Sequence, residues 1–169
     1  DEVDIAVVVQ RMVDAEKSGV MFTSHPSTGE PRAIVEAAWG LGEGVVSGTV
    51  SPDNYVIERE TGAVVDTAVA DKKTMFVRGE DGTTVEEAVP DDRREERVLS
   101  EAELADLIEI GELVEDHYGE PQDVEWAMRD GEIFMLQSRP ITTIDEGSTT
   151  TSAGATGTSG AVTSDGSGE

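Results

Sequence analysis

The chain has 169 residues, and its 37 Asp and Glu against 12 Lys and Arg leave a formal net charge of −25. That balance argues against nucleic acid and anionic membrane surfaces as partners, because both are bound through clustered Lys and Arg. The absence of cysteine excludes disulfides and thiolate metal sites, and no stretch is apolar enough to span a bilayer, so a cytoplasmic protein is expected.

The first half of the chain predicts a series of strands. Residues 5–13 form an almost continuous apolar run, which is typical of a strand buried on both faces. Residues 18–26 and 32–39 predict the next two strands. Residues 54–70 predict a hairpin that turns at Thr61 and Gly62, because a polar pair with glycine separates two β-prone runs.

The second half predicts another strand pair, one helix and a final hairpin. Residues 73–78 and 83–89 flank the turn pair Asp81-Gly82. The helix begins after Ser100, which has Glu103 at capping-box spacing, and it ends before Gly119. The final strands, residues 123–128 and 133–138, are joined across Asp130-Gly131. These elements predict an α+β fold with a mostly antiparallel sheet and few helices.

The composition changes after residue 144. From residue 146 to residue 169, 17 of 24 residues are Gly, Ser or Thr. Such a segment buries too little apolar surface to offset its ordering entropy, which predicts a flexible linker or tail over residues 145–169. The folded domain is therefore expected to span residues 1–144.

The acidic residues are spread along the chain rather than gathered in one tail. A high-salt cytoplasm would account for this, since salt screens the repulsion between the carboxylates of a heavily charged surface. The alternative is an ordinary acidic protein.

Four glycines follow the third strand, at positions 40, 42, 44 and 48. Bare backbone of this kind suits either phosphate binding through amides or tight packing. The spacing does not form a dinucleotide fingerprint opening a crossover helix. Taken alone, the stretch favours a structural turn. Glu36, on the preceding strand, could equally be an ordinary surface acid.

The final hairpin offers a carboxylate, an amide and a guanidinium. Alternation along the first strand places Asp123 and Glu125 on one face, and alternation along the second gives Met135, Gln137 and Arg139 a common face. A two-residue turn would put Glu125 and Gln137 on opposite faces, whereas a three-residue turn with a glycine bulge would unite them. United, they suit Mg²⁺, with Arg139 at the rim for a phosphate; an acidic strand pair remains the alternative.

The end of the first strand offers a place for a purine base. Gln10, Met12 and Val13 close the apolar run, and the chain then turns polar at Asp14 and Glu16. Adenine can lie against such a strand end, with the two acids available to ribose hydroxyls. Without further context this is a generic sheet edge.

Together these segments resemble one enzyme family. The segments that carry the resemblance, in chain order, are VVVQRMV, SGVMFT, EAAWGLGEGVVSGTVSPDNY, ADKKTMF, EPQDVEWAM and LQSRPIT. They are similar to the ATP-binding domain of phosphoenolpyruvate synthases (pyruvate, water dikinases) over nearly all of residues 1–144, in an acidic, lysine-poor version like that of a salt-loving archaeon. The resemblance implies the C-terminal part of an ATP-grasp domain that binds ATP and Mg²⁺.

The resemblance also implies roles for particular residues. Glu125 and Gln137 match the metal-binding pair, and Arg139 matches the phosphate-gripping catalytic arginine. The remaining matches concern the nucleotide: Gln10, Met12 and Val13 on the adenine side, Asp14 or Glu16 on the ribose side, and Glu36 where the family keeps an acid before its glycine loop. His25 and His117 match no phosphohistidine motif and are expected to be non-catalytic.

Three partners are implied that this chain does not contain. They are an N-terminal ATP-grasp lobe, a swivelling domain with a catalytic histidine, and a pyruvate-binding domain, which together convert ATP and pyruvate to phosphoenolpyruvate, AMP and phosphate. We therefore expect the chain to be a fragment that is inactive alone. Pyruvate phosphate dikinase and rifampicin phosphotransferase share the domain and remain alternatives, as does a non-catalytic acidic partner module.

Overall fold

The structure, a computed structural model, describes residues 6–7 and 13–141, with side chains for the second range. Seven strands form one mixed sheet in the order β1-β9-β8-β2-β3-β4-β5, and β6 and β7 form a separate two-stranded sheet. The elements are β1 (Ala6–Val7), β2 (Lys17–Phe22), β3 (Arg32–Trp39), α1 (Glu43–Val46), β4 (Asp53–Glu58), β5 (Val64–Ala68), β6 (Thr74–Arg78), β7 (Thr84–Ala88), α2 (Glu101–Tyr118), β8 (Gln122–Arg129) and β9 (Glu132–Pro140).

The main core lies between α2 and one face of the large sheet. Trp126, Tyr55 and Met21 are buried on the sheet side, and they pack with a helical stripe that includes Leu104 and Leu107. Fully burying each large apolar side chain contributes about 1.5–3 kcal/mol, so this layer is the main source of stability in the described domain. Within the described residues, the helix that packs on the opposite face of the sheet is the short α1, and this face carries the polar residues Glu36, Glu125 and Gln137.

The helix α2 confirms the predicted caps. The Ser100 side chain accepts a hydrogen bond from the Glu103 N–H, and the Glu103 side chain accepts one from the Ser100 N–H. The helix ends at Gly119, whose φ of 74° is left-handed, a conformation that glycine adopts without the steric penalty of a Cβ. None of the helices in the described residues is long and apolar enough to cross a membrane.

Several sequence predictions can be compared with the strands. The third strand and both central hairpins are confirmed. The second strand ends at Phe22, earlier than predicted, because the chain turns at His25, whose Nδ1 accepts from the Ser27 and Thr28 N–H groups. The short helix α1 inside the glycine stretch was not predicted. Of the predicted first strand, Ala6–Val7 form a strand parallel to β9 and Val13 lies outside any strand, whereas the other residues of that prediction and the predicted tail lie outside the described residues.

The final hairpin differs from its prediction in an informative way. Its turn has two residues, Asp130 and Gly131, both with positive φ. Trp126 faces Met135, yet Glu125 faces Gln137, so Leu136 is an extra residue that forms a β-bulge. The expectation that a two-residue turn separates Glu125 from Gln137 is therefore wrong. The bulge shifts the strand register by one residue and so returns Gln137 to the face of Glu125.

The bulge also corrects the predicted faces of β9. Met135 packs against the core beneath α2, whereas Gln137 and Arg139 lie on the opposite face. The prediction that all three share a face assumed unbroken alternation, and one extra residue inverts the alternation beyond it.

One of the three lysines, Lys72, forms a buried ion pair. Lys72 and Asp53 have fully buried side chains, and the Lys72 Nζ lies 2.6 Å from an Asp53 carboxylate oxygen. The same carboxylate accepts from the N–H groups of Ala70 and Val98 and from the Tyr55 hydroxyl. The pair thus joins β4 to the segment that leads into β6 and to the segment that precedes α2.

Candidate functional site

A polar row crosses the face of the sheet opposite α2. Cα pairing runs from Asn54 on β4 to Glu36 on β3, then to Val20 on β2, Glu125 on β8 and Gln137 on β9. Because residues paired in register point to the same face, this row places two carboxylates and two amides on one surface. Glu125 and Gln137 are direct cross-strand neighbours within it.

The adjacent row contributes an ion pair. Arg139 lies opposite Asp123, and its Nε donates to the Asp123 Oδ2 over 3.1 Å. The arginine side chain is 60% exposed and the aspartate side chain 12%. Because the guanidinium is mostly exposed, it is accessible to a phosphate, whose oxygens its planar fork can bind.

Asp123 has a second oxygen that the protein leaves unsatisfied. Its Oδ1 is buried and has no hydrogen-bond partner among the described residues. A buried, unpaired carboxylate oxygen is costly, and it marks a place where a bound cation, water or donor completes the structure.

The carboxyl group of Glu36, on the same face, is also perturbed by its surroundings. Burial, and secondarily the charge of Asp123, raise the pKa of the Glu36 carboxyl above its ordinary value. Both causes disfavour the carboxylate form. A cation brought to this face would reverse the effect, since positive charge favours ionised carboxylates.

A cavity of about 820 Å³ adjoins this face and includes Glu125. It lies among the sheet, α1 and the β6–β7 hairpin, and its volume falls in the range of small-molecule sites, about 300–1,000 Å³. One wall is apolar, formed by a second hydrophobic cluster, whose members that line the cavity are Val13, Ala15, Leu41, Ala127 and Leu136. The polar lining includes Glu43, Ser47, Arg78, Thr84 and Glu125.

The glycine stretch shapes this cavity mainly by packing. Gly40 has a φ of +78°, and a Cβ there would overlap the Phe76 carbonyl oxygen of β6. Gly44 is likewise packed against Val50 and the Phe76 ring, whereas Gly42 lines the cavity. The glycine stretch therefore serves mainly as the surface against which the β6–β7 hairpin packs, and only Gly42 of the three also lines the cavity.

The sequence-predicted residues are not all brought together. Glu125, Gln137 and Arg139 share one face, Glu36 lies on that face outside the cavity lining, and Val13 lines the cavity.

The ribose-side candidates stand apart from the cavity. Asp14 and Glu16 are exposed and absent from its lining, and an Asp14 carboxylate oxygen lies 3.3 Å from an Arg129 guanidinium nitrogen. Gln10 and Met12 lie outside the described residues.

Two residues at this site, Asp123 and Arg78, were not among the predicted site residues. Alternation along the strand correctly predicted that Asp123 shares a face with Glu125, and that signal could have marked it as a candidate. Arg78 gave no local signal, because only the docking of β6–β7 against the glycine stretch carries it to the cavity.

The donor set fits a partly coordinated hard cation. Within residues 13–141 no three Asp, Glu or His side chains lie close enough to form a metal site by themselves. A carboxylate beside an amide oxygen is nevertheless suitable for Mg²⁺, which takes few protein ligands and completes its shell with phosphate oxygens and water. The cavity volume and the apolar wall fit a nucleotide base beside such an ion.

Comparison with known proteins gives consistent matches. The family described as pyruvate phosphate dikinase, AMP/ATP-binding domain, matches residues 1–157. A probable phosphoenolpyruvate synthase of Methanothermobacter thermautotrophicus is 59% identical over 145 residues, covering 86% of this chain and 21% of that protein. The phosphoenolpyruvate synthase of Pyrococcus furiosus is 43% identical over 157 residues, covering 88% of this chain and 19% of that protein.

A rifampicin phosphotransferase of Bacillus cereus is also similar, with 37% identity over 145 residues, covering 85% of this chain and 16% of that protein. The chain therefore spans about a fifth or less of the length of these relatives.

Proposed function

Because the chain belongs to the pyruvate phosphate dikinase AMP/ATP-binding domain family, we propose that it is the ATP-binding part of a phosphoenolpyruvate synthase. Identities of 53–59% to three probable archaeal phosphoenolpyruvate synthases favour this assignment over the rifampicin phosphotransferases, at 37% and 42%. The domain is proposed to be the C-terminal part of an ATP-grasp fold, with residues 145–169 as a linker.

The observation that carries the proposal is the register of the final hairpin. Glu125 and Gln137 are paired across β8 and β9, with Arg139 on the same face and Glu125 in the cavity lining. Glu125 and Gln137 are the proposed Mg²⁺ ligands. Arg139 is the proposed phosphate-binding catalytic residue, and Asp123 holds its guanidinium until the nucleotide arrives.

The base and ribose are assigned to the other walls. The apolar cluster around Val13 suits adenine, whose edge would bond backbone groups of Gln10 and Met12. Asp14 or Glu16 is the proposed ribose partner, which requires a side-chain movement because both acids stand outside the cavity lining. Glu36 is proposed to tune the charge beside the metal rather than to ligate it.

Phosphoryl transfer is the chemistry that these groups support. Bound Mg²⁺ would neutralise charge on the phosphates. Arg139 would grip a phosphoryl oxygen with its planar fork and stabilise the charge that spreads over the phosphoryl group. The apolar wall would exclude water from a bound base.

The acceptor is proposed to be supplied by parts of the enzyme that this chain does not contain. These are the N-terminal lobe, a histidine-bearing domain and a pyruvate-binding domain, which would act together in the cytoplasm and release AMP and phosphate. The chain alone is expected to be inactive.

Calorimetric titration of Mg-ATP into the natural full-length polypeptide tests the site. Glu125→Ala should remove the Mg²⁺-dependent part of ATP binding, because a Mg²⁺ ligand is lost, while binding of metal-free ATP should change little. Glu109→Ala, on the exposed face of α2, is the matched control. Unchanged titration heats for Glu125→Ala would refute the metal assignment.

A rifampicin phosphotransferase is the second candidate, on the strength of the relatives at 37% and 42% identity. The acceptor distinguishes the two proposals. The full-length enzyme should consume ATP in the presence of pyruvate and not in the presence of rifampicin.

A further inference from the structure

The β6–β7 hairpin forms the wall of the cavity opposite the large sheet. Three of its residues line the cavity, namely Arg78, Gly82 and Thr84. Neither of its strands belongs to the seven-stranded sheet, so its position is set by a few contacts rather than by a continuous ladder.

Those contacts fix the base and the middle of the hairpin. The Leu41 N–H donates to the Phe76 carbonyl over 2.7 Å, and the Phe76 ring packs against Gly44. Below this seat, the buried Lys72–Asp53 pair anchors the chain just before β6 begins. The hairpin therefore presents its tip to the cavity from a fixed base.

Arg78 stands at the end of β6, directly across from Thr84 on β7. Among the described residues that line the cavity, it is the one that carries a positive charge, and the lining also holds the acids Glu43 and Glu125. The Thr84 hydroxyl donates to a Glu43 carboxylate oxygen over 3.3 Å, which ties the hairpin to α1 beside this arginine.

We propose that Arg78 is a nucleotide-binding residue that contacts a phosphate group from the hairpin side of the cavity. The inference rests on the proposed function, since it takes the cavity ligand to be a nucleotide. A nucleoside triphosphate remains anionic with Mg²⁺ bound, and a cavity with two carboxylates needs a cation besides the metal. The planar guanidinium group is suited to binding phosphate oxygens. The position of Arg78 therefore makes the β6–β7 hairpin part of the binding site.

The test compares ligands that differ in their phosphates. ATP, AMP and adenosine are titrated into the natural full-length polypeptide carrying Arg78→Ala, with Arg78→Lys as the conservative variant. We expect Arg78→Ala to weaken ATP binding about tenfold to a hundredfold and to leave adenosine unchanged, since a charge-assisted contact to phosphate is lost. Arg78→Lys should recover part of the loss.

Arg32→Ala is the matched control, because Arg32 is an exposed arginine paired with Glu58 outside the cavity lining. Urea denaturation of each variant checks that the fold is retained. A loss with both ATP and AMP, or with ATP alone, supports the proposal and assigns the contact to the α-phosphate or to the outer phosphates.

Other results overturn it. If Arg78→Ala binds ATP as the wild type does while Glu125→Ala does not, the inference is wrong and the proposed function stands. Equal losses for ATP and adenosine would show a steric role for the hairpin. If the wild type binds no ATP, both proposals are wrong.

Discussion

At the scale of single residues, charge on the polar face is the feature with the clearest consequences. Glu36 is half-buried, and its pKa is raised first by burial and then by Asp123. A carboxyl whose pKa is higher in the folded state binds its proton more tightly there than in the unfolded chain. The free energy of unfolding therefore falls as pH rises from the unfolded-state value, near 4.5, through the raised folded value.

Glu36→Gln should remove this pH-dependent decrease in the free energy of unfolding. The variant is expected to gain more stability relative to wild type at pH 7 than at pH 4, because glutamine carries no charge to desolvate. Urea denaturation at the two pH values measures the difference. Glu109→Gln, on the outer surface of α2, is the control, and an equal change at both pH values for Glu36→Gln would show that Glu36 is not the source.

The sequence indicated which residue types could form the site, but it did not indicate which distant residues they contact. The carboxylate, amide and guanidinium of the final hairpin could be chosen from the sequence, since Glu125, Gln137 and Arg139 have chemistry that suits phosphate and Mg²⁺. The pairing of Arg139 with Asp123 and the buried Lys72–Asp53 pair depend on contacts between distant segments, which no local pattern encodes.

At the scale of elements, the glycine stretch links the sheet to the hairpin. Gly40 and Gly48 both have left-handed φ, at +78° and +76°. Space around Gly48 is open, whereas a Cβ on Gly40 would overlap the Phe76 carbonyl oxygen. Substitution at Gly48 therefore tests backbone strain alone, whereas substitution at Gly40 tests both backbone strain and the packing of the β6–β7 hairpin.

Gly48→Ala should cost about 1–2 kcal/mol through strain alone. Gly40→Ala should cost about 1–3 kcal/mol more, because the new methyl forces the hairpin off its seat. It should also weaken ATP binding, since Arg78 moves with the hairpin. Urea denaturation and calorimetry measure both effects, and equal costs at the two glycines would mean that the hairpin is not held as the structure shows.

At the scale of the whole molecule, the net charge of −25 dominates behaviour in solution. Self-repulsion among dispersed carboxylates destabilises a compact state, and salt screens it, with a Debye length of about 10 Å at 0.1 M and about 3 Å at 1 M. We propose that the protein is adapted to high salt.

Lowering KCl from 1 M to 0.1 M should therefore lower the melting temperature and reduce the folded signal in circular dichroism. A parallel titration with choline chloride separates screening from specific cation binding. A spectrum and melting temperature indifferent to both salts would remove the proposal of salt adaptation.

The sequence by itself determined the elements whose signals are local. Turn pairs and the capping box specify the two central hairpins and α2, because their hydrogen bonds join residues close in the chain. Only the tertiary structure decided that Glu125 meets Gln137 and that Arg78 reaches the cavity. The first depends on one bulged residue, Leu136, which shifts the register by one and inverts the face. The second depends on the packing of Phe76 against glycines more than thirty residues earlier, which is long-range contact without a local pattern.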